Sequence, residues 1–196
     1  MLTRTNLRMD NATFLRWAEQ REGRYELVNG QVIEMMAGAT QSHRLVVTRV
    51  LAQLLEQLDN SAWLASSADA AVEIGPGGIR YPDIVVERTA GPTKELAAVS
   101  PTLIVEVLSP SSIAIDLGDK AEEYMSLACI SDYLVLSQDG PKGWCYSRGT
   151  GPGPRTLTGR DVVVEIASIG VKLRFQSIYE GFPDWVEPED ERPHRR

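Results

Sequence analysis

One carboxylate set inside an apolar run constrains this chain more than any other feature. Residues 103–108 read Leu-Ile-Val-Glu-Val-Leu, so Glu106 has three apolar residues before it and two after it. A strand with one wet face alternates apolar and polar residues; this run predicts a strand covered on both sides. A lone ionised carboxylate there is costly unless it is paired, protonated or bound to a cation. Asp83 poses the same problem, because Ile84, Val85 and Val86 follow it directly.

Two acids on two apolar strands, followed by Lys120 on a helix predicted over 116–127, form a cage suited to a divalent metal and a phosphate. If the strands are neighbours, Asp83 and Glu106 can converge on one Mg²⁺, which takes oxygen ligands at about 2.0–2.1 Å and keeps several waters. The Val107 carbonyl would add a further oxygen. Such an ion polarises a phosphoryl oxygen and lowers the pKa of the water that attacks phosphorus. The competing reading puts either acid at a strand end, facing solvent or an arginine such as Arg80.

Lys120 has Tyr124 one turn on and on the same face. Aimed at the site, it would orient the water or neutralise charge developing on phosphate. Taken alone it reads as a surface lysine paired with Asp116 or Glu123, and the neighbouring acids are what move it toward the site. Glu26 either reaches the metal through water or is an ordinary half-exposed strand residue. His43 opens a helix and either meets a phosphate or serves in proton transfer; a capping or surface role fits it equally. His194 lies in the tail and is assigned no role. The turn Ser109-Pro110-Ser111-Ser112 reads mainly as a turn, and the second Pro-Asp dipeptide, Pro183-Asp184, has no buried strand beside it and is a decoy. The chain has no Gly-rich phosphate loop, nucleophile elbow or metalloprotease helix.

The rest of the chain builds a frame for these residues. Asp10 to Thr13 offer caps for a short amphipathic helix ending near Gly23. Asn29-Gly30 between two β-prone runs predicts a hairpin over 25–35, since both turn positions need positive φ. A helix over 42–58, capped by Thr40 or Ser42, puts Val47, Leu51, Leu54, Leu55 and Leu58 on one face. Strands are predicted over 70–74 and 79–86, joined by Gly75-Pro76-Gly77-Gly78, then over 102–108, 131–136, 144–147, 162–166 and 171–175. Residues 1–186 are expected to form one domain without internal repeats, and 187–196 a disordered tail.

The balance of charge limits the function. The 196 residues are 43% hydrophobic and carry a net charge of -7, which counts against a protein that coats nucleic acid through a basic face. It leaves room for an enzyme that grips a phosphodiester locally through a metal. No apolar run approaches the roughly 20 residues of a membrane span, and residues 1–5 lack the apolar core of a signal peptide. The expected location is cytoplasmic, with Cys129 and Cys145 as free thiols rather than a disulfide or zinc framework.

Tyr25-Glu26-Leu27-Val28-Asn29-Gly30, His43 opening a helix, Tyr81-Pro82-Asp83, Glu106-Val107-Leu108-Ser109-Pro110-Ser111, and Lys120 with Tyr124 together resemble the Uma2 family of bacterial proteins, formerly a domain of unknown function. The resemblance covers about residues 10 to 180. By fold that family belongs to the PD-(D/E)XK nuclease superfamily. It implies an α/β (α+β) restriction-endonuclease-like core: a mixed β-sheet flanked by helices, with an N-terminal helix and β-hairpin. Asp83 is similar to the acid of the Pro-Asp motif and Glu106 to that of the second motif. The superfamily lysine stands two residues after the second acid, where this chain has Leu108; Lys120 resembles a lysine migrated to the following helix. Glu26 and His43 match further motif positions of the family.

The resulting expectation is a Mg²⁺- or Mn²⁺-dependent endonuclease acting on DNA, with Asp83, Glu106, Lys120, Glu26 and His43 catalytic and Asp83, Glu106 and Val107 on the metal. A homodimer is implied by superfamily analogy. The alternative is a binding or assembly module that keeps the fold without cleaving, favoured by the acidic charge and the absence of a basic stripe.

Overall fold

The computed structural model describes residues 3–35, 38–89, 91, 93–108, 116–151 and 153–185. Its first part builds around the predicted hairpin. Asn29 and Gly30 both have positive φ, 51° and 75°, and turn β2 (Arg24–Val28) into β3 (Gln31–Met35). Before the hairpin come β1 (Thr3–Arg8) and α1 (Asn11–Glu19). Asp10 caps that helix by accepting from the Thr13 N–H at 2.8 Å. With β5 (Val72–Gly75) and β6 (Gly78–Arg80) these strands form a five-stranded sheet in the order β1-β3-β2-β6-β5. The hairpin is therefore the middle of a second sheet rather than an appendage of the main one.

The main sheet has six strands. It contains β4 (Trp63–Ser67), β7 (Ile84–Arg88), β8 (Pro101–Leu108), β9 (Asp132–Ser137), β10 (Lys142–Ser147) and β11 (Arg155–Thr158), in the order β11-β10-β9-β8-β7-β4. Only β8 and β9 run parallel, and α3 (Asp119–Ser126) lies on the crossover between them. A separate ribbon of β12 (Val163–Ile166) and β13 (Val171–Arg174) leads into the short α4 (Phe175–Ile178).

The expectation for β8 holds, since all eight of its residues are buried. Leu103, Val105 and Val107 pack into one cluster with α2 (Gln41–Gln57) and the β12–β13 ribbon. Ile104 and Leu108 pack on the opposite face against Ala121 and Tyr124 of α3. Glu106 sits between Ile104 and Leu108 in the alternation, so its side chain belongs to the α3 face.

Three expectations need correction. Residues 79–86 are not one strand: β6 belongs to the five-stranded sheet and β7 to the six-stranded one. Pro82 lies between them and has no N–H with which to continue a ladder. The buried stripe of α2 is Val46, Val50, Leu54 and Leu58, and Leu55 faces solvent at 47% exposure. The predicted stripe shares Leu54 and Leu58 with it but is rotated by a residue elsewhere. Finally, β1, β4 and β11 were not predicted. The sequence Ala65-Ser66-Ser67 carries no strand signal, and β4 exists because β7 offers its edge, with Trp63 opposite Arg88 and the guanidinium 4.5 Å from the ring centre. Among the described residues Cys129 is an exposed and Cys145 a buried free thiol, and no helix is long and apolar enough to cross a membrane.

Candidate active site

Two strand registers bring the charged residues together. Leu27 pairs with Ile79 in the antiparallel β2–β6 ladder, which sets Glu26 opposite Arg80. Arg80 Nη1 donates to Glu26 Oε2 at 2.7 Å. Ile84 pairs with Val105 in the antiparallel β7–β8 ladder, which sets Asp83 opposite Glu106. Residues opposed in this way have Cβ atoms about 4.5–5.5 Å apart. The two ladders are linked by Tyr81 and Pro82 alone, so the change of sheet at the proline is what joins the two pairs into one site.

Backbone and helix ends then fix each acid. Asp83 Oδ2 accepts from the Val107 N–H at 2.8 Å, and His43 Nε2 lies 3.2 Å from the same oxygen. His43 stands in the first turn of α2, where its N–H donates to the capping Thr40 hydroxyl at 3.1 Å. From the other side α3 contributes three residues. Lys120 Nζ donates to Glu106 Oε1 at 2.7 Å and lies 3.1 Å from Asp116 Oδ1 and 3.8 Å from Glu26 Oε1. The Tyr124 hydroxyl donates to Glu106 Oε1 at 3.4 Å. Glu123 receives Arg80 Nε and Nη2, each at 2.8 Å.

The site is graded from wet to dry. The His43 and Asp83 side chains keep 14% and 12% of their surface, whereas those of Lys120 and Glu106 keep 7%. Burial, and secondarily the charges of Asp83 and Asp116, push the Glu106 carboxyl up to about 8, against the pull of Lys120. Burial works against the Lys120 charge, but Glu106, Glu26 and Asp116 outweigh it and hold the ammonium charged. Arg80 is held charged in the same way, by Glu123 and Glu26 against burial. Low dielectric raises the cost of an unmatched charge and the strength of a matched one together.

The structure thus brings Asp83, Glu106, Lys120, Glu26 and His43 into one cluster. Glu26 is buried rather than half-exposed, because β6 and α3 cover it. Lys120 is not a surface lysine, and its neighbour Asp116 is buried with it. Arg80 pairs with Glu26 and Glu123, not with the facing acids. Val107 joins through its N–H, where the sequence reading assigns its carbonyl. Leu108 packs with Tyr124 and Ala121, which accounts for an apolar residue at that position. Asp184 pairs with Arg160 at 2.7 Å on the surface, as befits a decoy. Residues 109–112 lie outside the described residues. Sequence reasoning treated Asp116 and Glu123 only as surface partners. The spacing Asp116, Lys120, Tyr124 stacks one residue per helical turn and puts the three on one face, but it does not say whether that face points inward.

The donors suit a hard cation. Among the described residues no three His, Cys, Asp and Glu side chains are arranged to hold a metal, so no closed all-protein cage is on offer. Mg²⁺ does not need one, since it binds through one or two carboxylates and keeps waters. Asp83 and Glu106 would serve as such a pair: burial is the main cause of the raised Glu106 carboxyl, and a cation between the two would relieve the smaller part that Asp83 adds.

The family model described as "Uma2: Putative restriction endonuclease" matches residues 12–174. An uncharacterized protein of Synechocystis sp. (strain ATCC 27184 / PCC 6803 / Kazusa), slr1290, is 26% identical over 172 residues, covering 86% of this chain and 90% of the relative. A second from the same organism, sll1609, is 25% identical over 150 residues, covering 74% and 81%. Among solved structures, one described as "a putative nuclease belonging to DUF820" from Anabaena variabilis ATCC 29413 superposes with a TM-score of 0.61 over 84% of this chain and 96% of its own, at 15% identity. At that identity the likeness speaks for the fold.

Proposed function

The chain belongs to the Uma2 family, and on that premise we propose that it is a divalent-cation-dependent endonuclease hydrolysing phosphodiester bonds in DNA. The observation that carries the reading is the facing pair Asp83 and Glu106, buried and bonded respectively to a backbone N–H and to Lys120. Asp83 and Glu106 would hold Mg²⁺ or Mn²⁺. The bound ion supplies Lewis acidity, polarising a phosphoryl oxygen and acidifying the attacking water.

The remaining residues have distinct tasks. Lys120 brings a positive charge to the inner wall, where charge develops on phosphate. His43, on the wetter side of Asp83, meets the substrate first and can take or return a proton. Glu26, Arg80 and Glu123 form a hydrogen-bonded ion-pair frame that fixes α3, and hence Lys120, against the sheets. Dimerisation, which the superfamily likeness implies, belongs to the same reading and is checked by light scattering.

One observation favours a second reading, a nuclease fold that binds without cleaving: Lys120 already occupies Glu106. Calorimetry with Mn²⁺ and Mg²⁺ on the wild type and on Asp83→Ala/Glu106→Ala separates the two. Binding lost in the double variant, with metal-dependent nicking of single- or double-stranded DNA by the wild type, supports the nuclease. A wild type that takes up neither ion at millimolar concentration points to the binding module.

A further inference from the structure

Asp116 has no part in the reading above, and its surroundings are unusual. It is 2% exposed, and its Oδ1 is a buried oxygen with no hydrogen-bond partner. Yet Lys120 Nζ stands 3.1 Å away, four residues further along the chain. At that distance the two are an ion pair without a hydrogen bond, and of the ammonium's three N–H donors one goes to Glu106 Oε1 at 2.7 Å. Native structures rarely leave a buried carboxylate oxygen without a hydrogen bond.

From this we infer that Asp116 is the receiving acceptor for Lys120: a divalent cation on Glu106 moves the ammonium from Glu106 Oε1 onto Asp116 Oδ1. The inference rests on the assignment of Asp83 and Glu106 as cation ligands. Lys120 and an incoming cation compete for the same carboxylate and repel each other at close range. Expelling the ammonium to solvent would forfeit its bonds and empty the inner wall, because the side chain is buried. Asp116 offers a place within the cluster, reached by rotating the end of one flexible side chain. The other charged groups facing Nζ do not compete for this role. Glu26 Oε1 is 3.8 Å away and its other oxygen is held by Arg80, while Asp83 is engaged by Val107 and His43. Asp116 is thus a positioning residue: it keeps Lys120 charged and inside the site while freeing Glu106.

The test is a double-mutant cycle read by Mn²⁺ calorimetry on the full chain: wild type, D116N, K120M and D116N/K120M. D116N is expected to weaken Mn²⁺ about tenfold or more, the scale for removing a group that orients a ligand, because Lys120 then stays on Glu106. Once Lys120 is gone, D116N should change the affinity less than about twofold. Equal weakening in both backgrounds would make Asp116 a ligand or a distant charge, and no weakening in either would make it a bystander; each overturns the inference while leaving the cation site standing. No Mn²⁺ uptake by wild type and K120M alike would remove the cation site and the inference with it. Should D116N fail to fold, the wild type decides through ¹⁵N spectra of the lysine ammonium groups. The Lys120 signal, identified by its loss in K120M, should move on saturation with Mg²⁺. An unmoved signal in a protein shown by calorimetry to be saturated overturns the exchange.

Discussion

The Arg80 guanidinium grips Glu123 with two nitrogens, each 2.8 Å from a carboxylate oxygen, and uses its third for Glu26. One side chain on β6 thereby ties the five-stranded sheet to α3, the helix that aims Lys120. Arg80→Met should lower stability by about 3–5 kcal/mol, because it removes the close partner of the buried Glu26 and leaves it only the Lys120 ammonium at 3.8 Å. Arg80→Lys should recover only part of that loss, since an ammonium cannot reproduce the planar fork. Urea denaturation of both variants, with the same baseline slope analysis, checks the order.

The raised Glu106 carboxyl gives a second expectation. Its folded value of about 8 lies above its ordinary 4.5, so its contribution to stability is fully present at low pH and is lost as pH rises through about 8. Cation binding needs the ionised form, so affinity should climb over the same interval with release of up to one proton per ion. Calorimetry in buffers of different ionisation enthalpy measures that release. A proton count that stays at zero from neutral pH upward would contradict the assignment of Glu106 to the ion.

Much of this was legible beforehand, because local chemistry dictated it. Asn29-Gly30 must turn, and an apolar run around Glu106 must be covered. What was not legible depends on partners remote in sequence. Nothing local tells that Glu26 will lie under β6, or that Asp116 and Lys120 will be buried together, because the spacing fits a wet helix face equally well. The α2 stripe illustrates the same limit. Two overlapping apolar rows were available, and the sheet beneath chose Val46 and Val50. Pro82 was the exception, a local signal that should have divided the strand over 79–86.

Leu108 allows a test of where the lysine has to be. It shares the α3 face with Glu106, two residues away. On the proposed nuclease reading, Lys120→Met should abolish DNA cleavage, and adding Leu108→Lys should restore a fraction of it by returning an ammonium to that face. The same change places a charge in an apolar cluster and should cost stability, by a few kcal/mol or more. Cleavage assays and melting curves on the single and double variants separate the two effects.

The hairpin turn matters to the site at one remove. Gly30 N–H donates to the Gly77 carbonyl at 2.7 Å, and a Cβ on Gly77 would lie 2.8 Å from the Gly30 nitrogen. Gly77 also has φ of +73°, so Gly77→Ala meets both strain and a clash. A loss of more than about 1 kcal/mol is expected. Because this contact holds the β2 and β6 ladder in register, the variant should also loosen the Glu26–Arg80 pair, visible as faster amide exchange at Leu27 and Ile79.

Pro82 carries the chain from one sheet to the other, and that crossing has a consequence for how the protein is made. Synthesis delivers Glu26, Arg80 and Asp83 well before Glu106 and Lys120 leave the ribosome. A nascent fragment ending after β7 can close the first sheet and form the Glu26–Arg80 pair, while Asp83 still lacks Glu106 across the ladder. The cluster comes into being only when β8 pairs with β7 and α3 folds over it, so no fragment that stops short of Ser126 can assemble it.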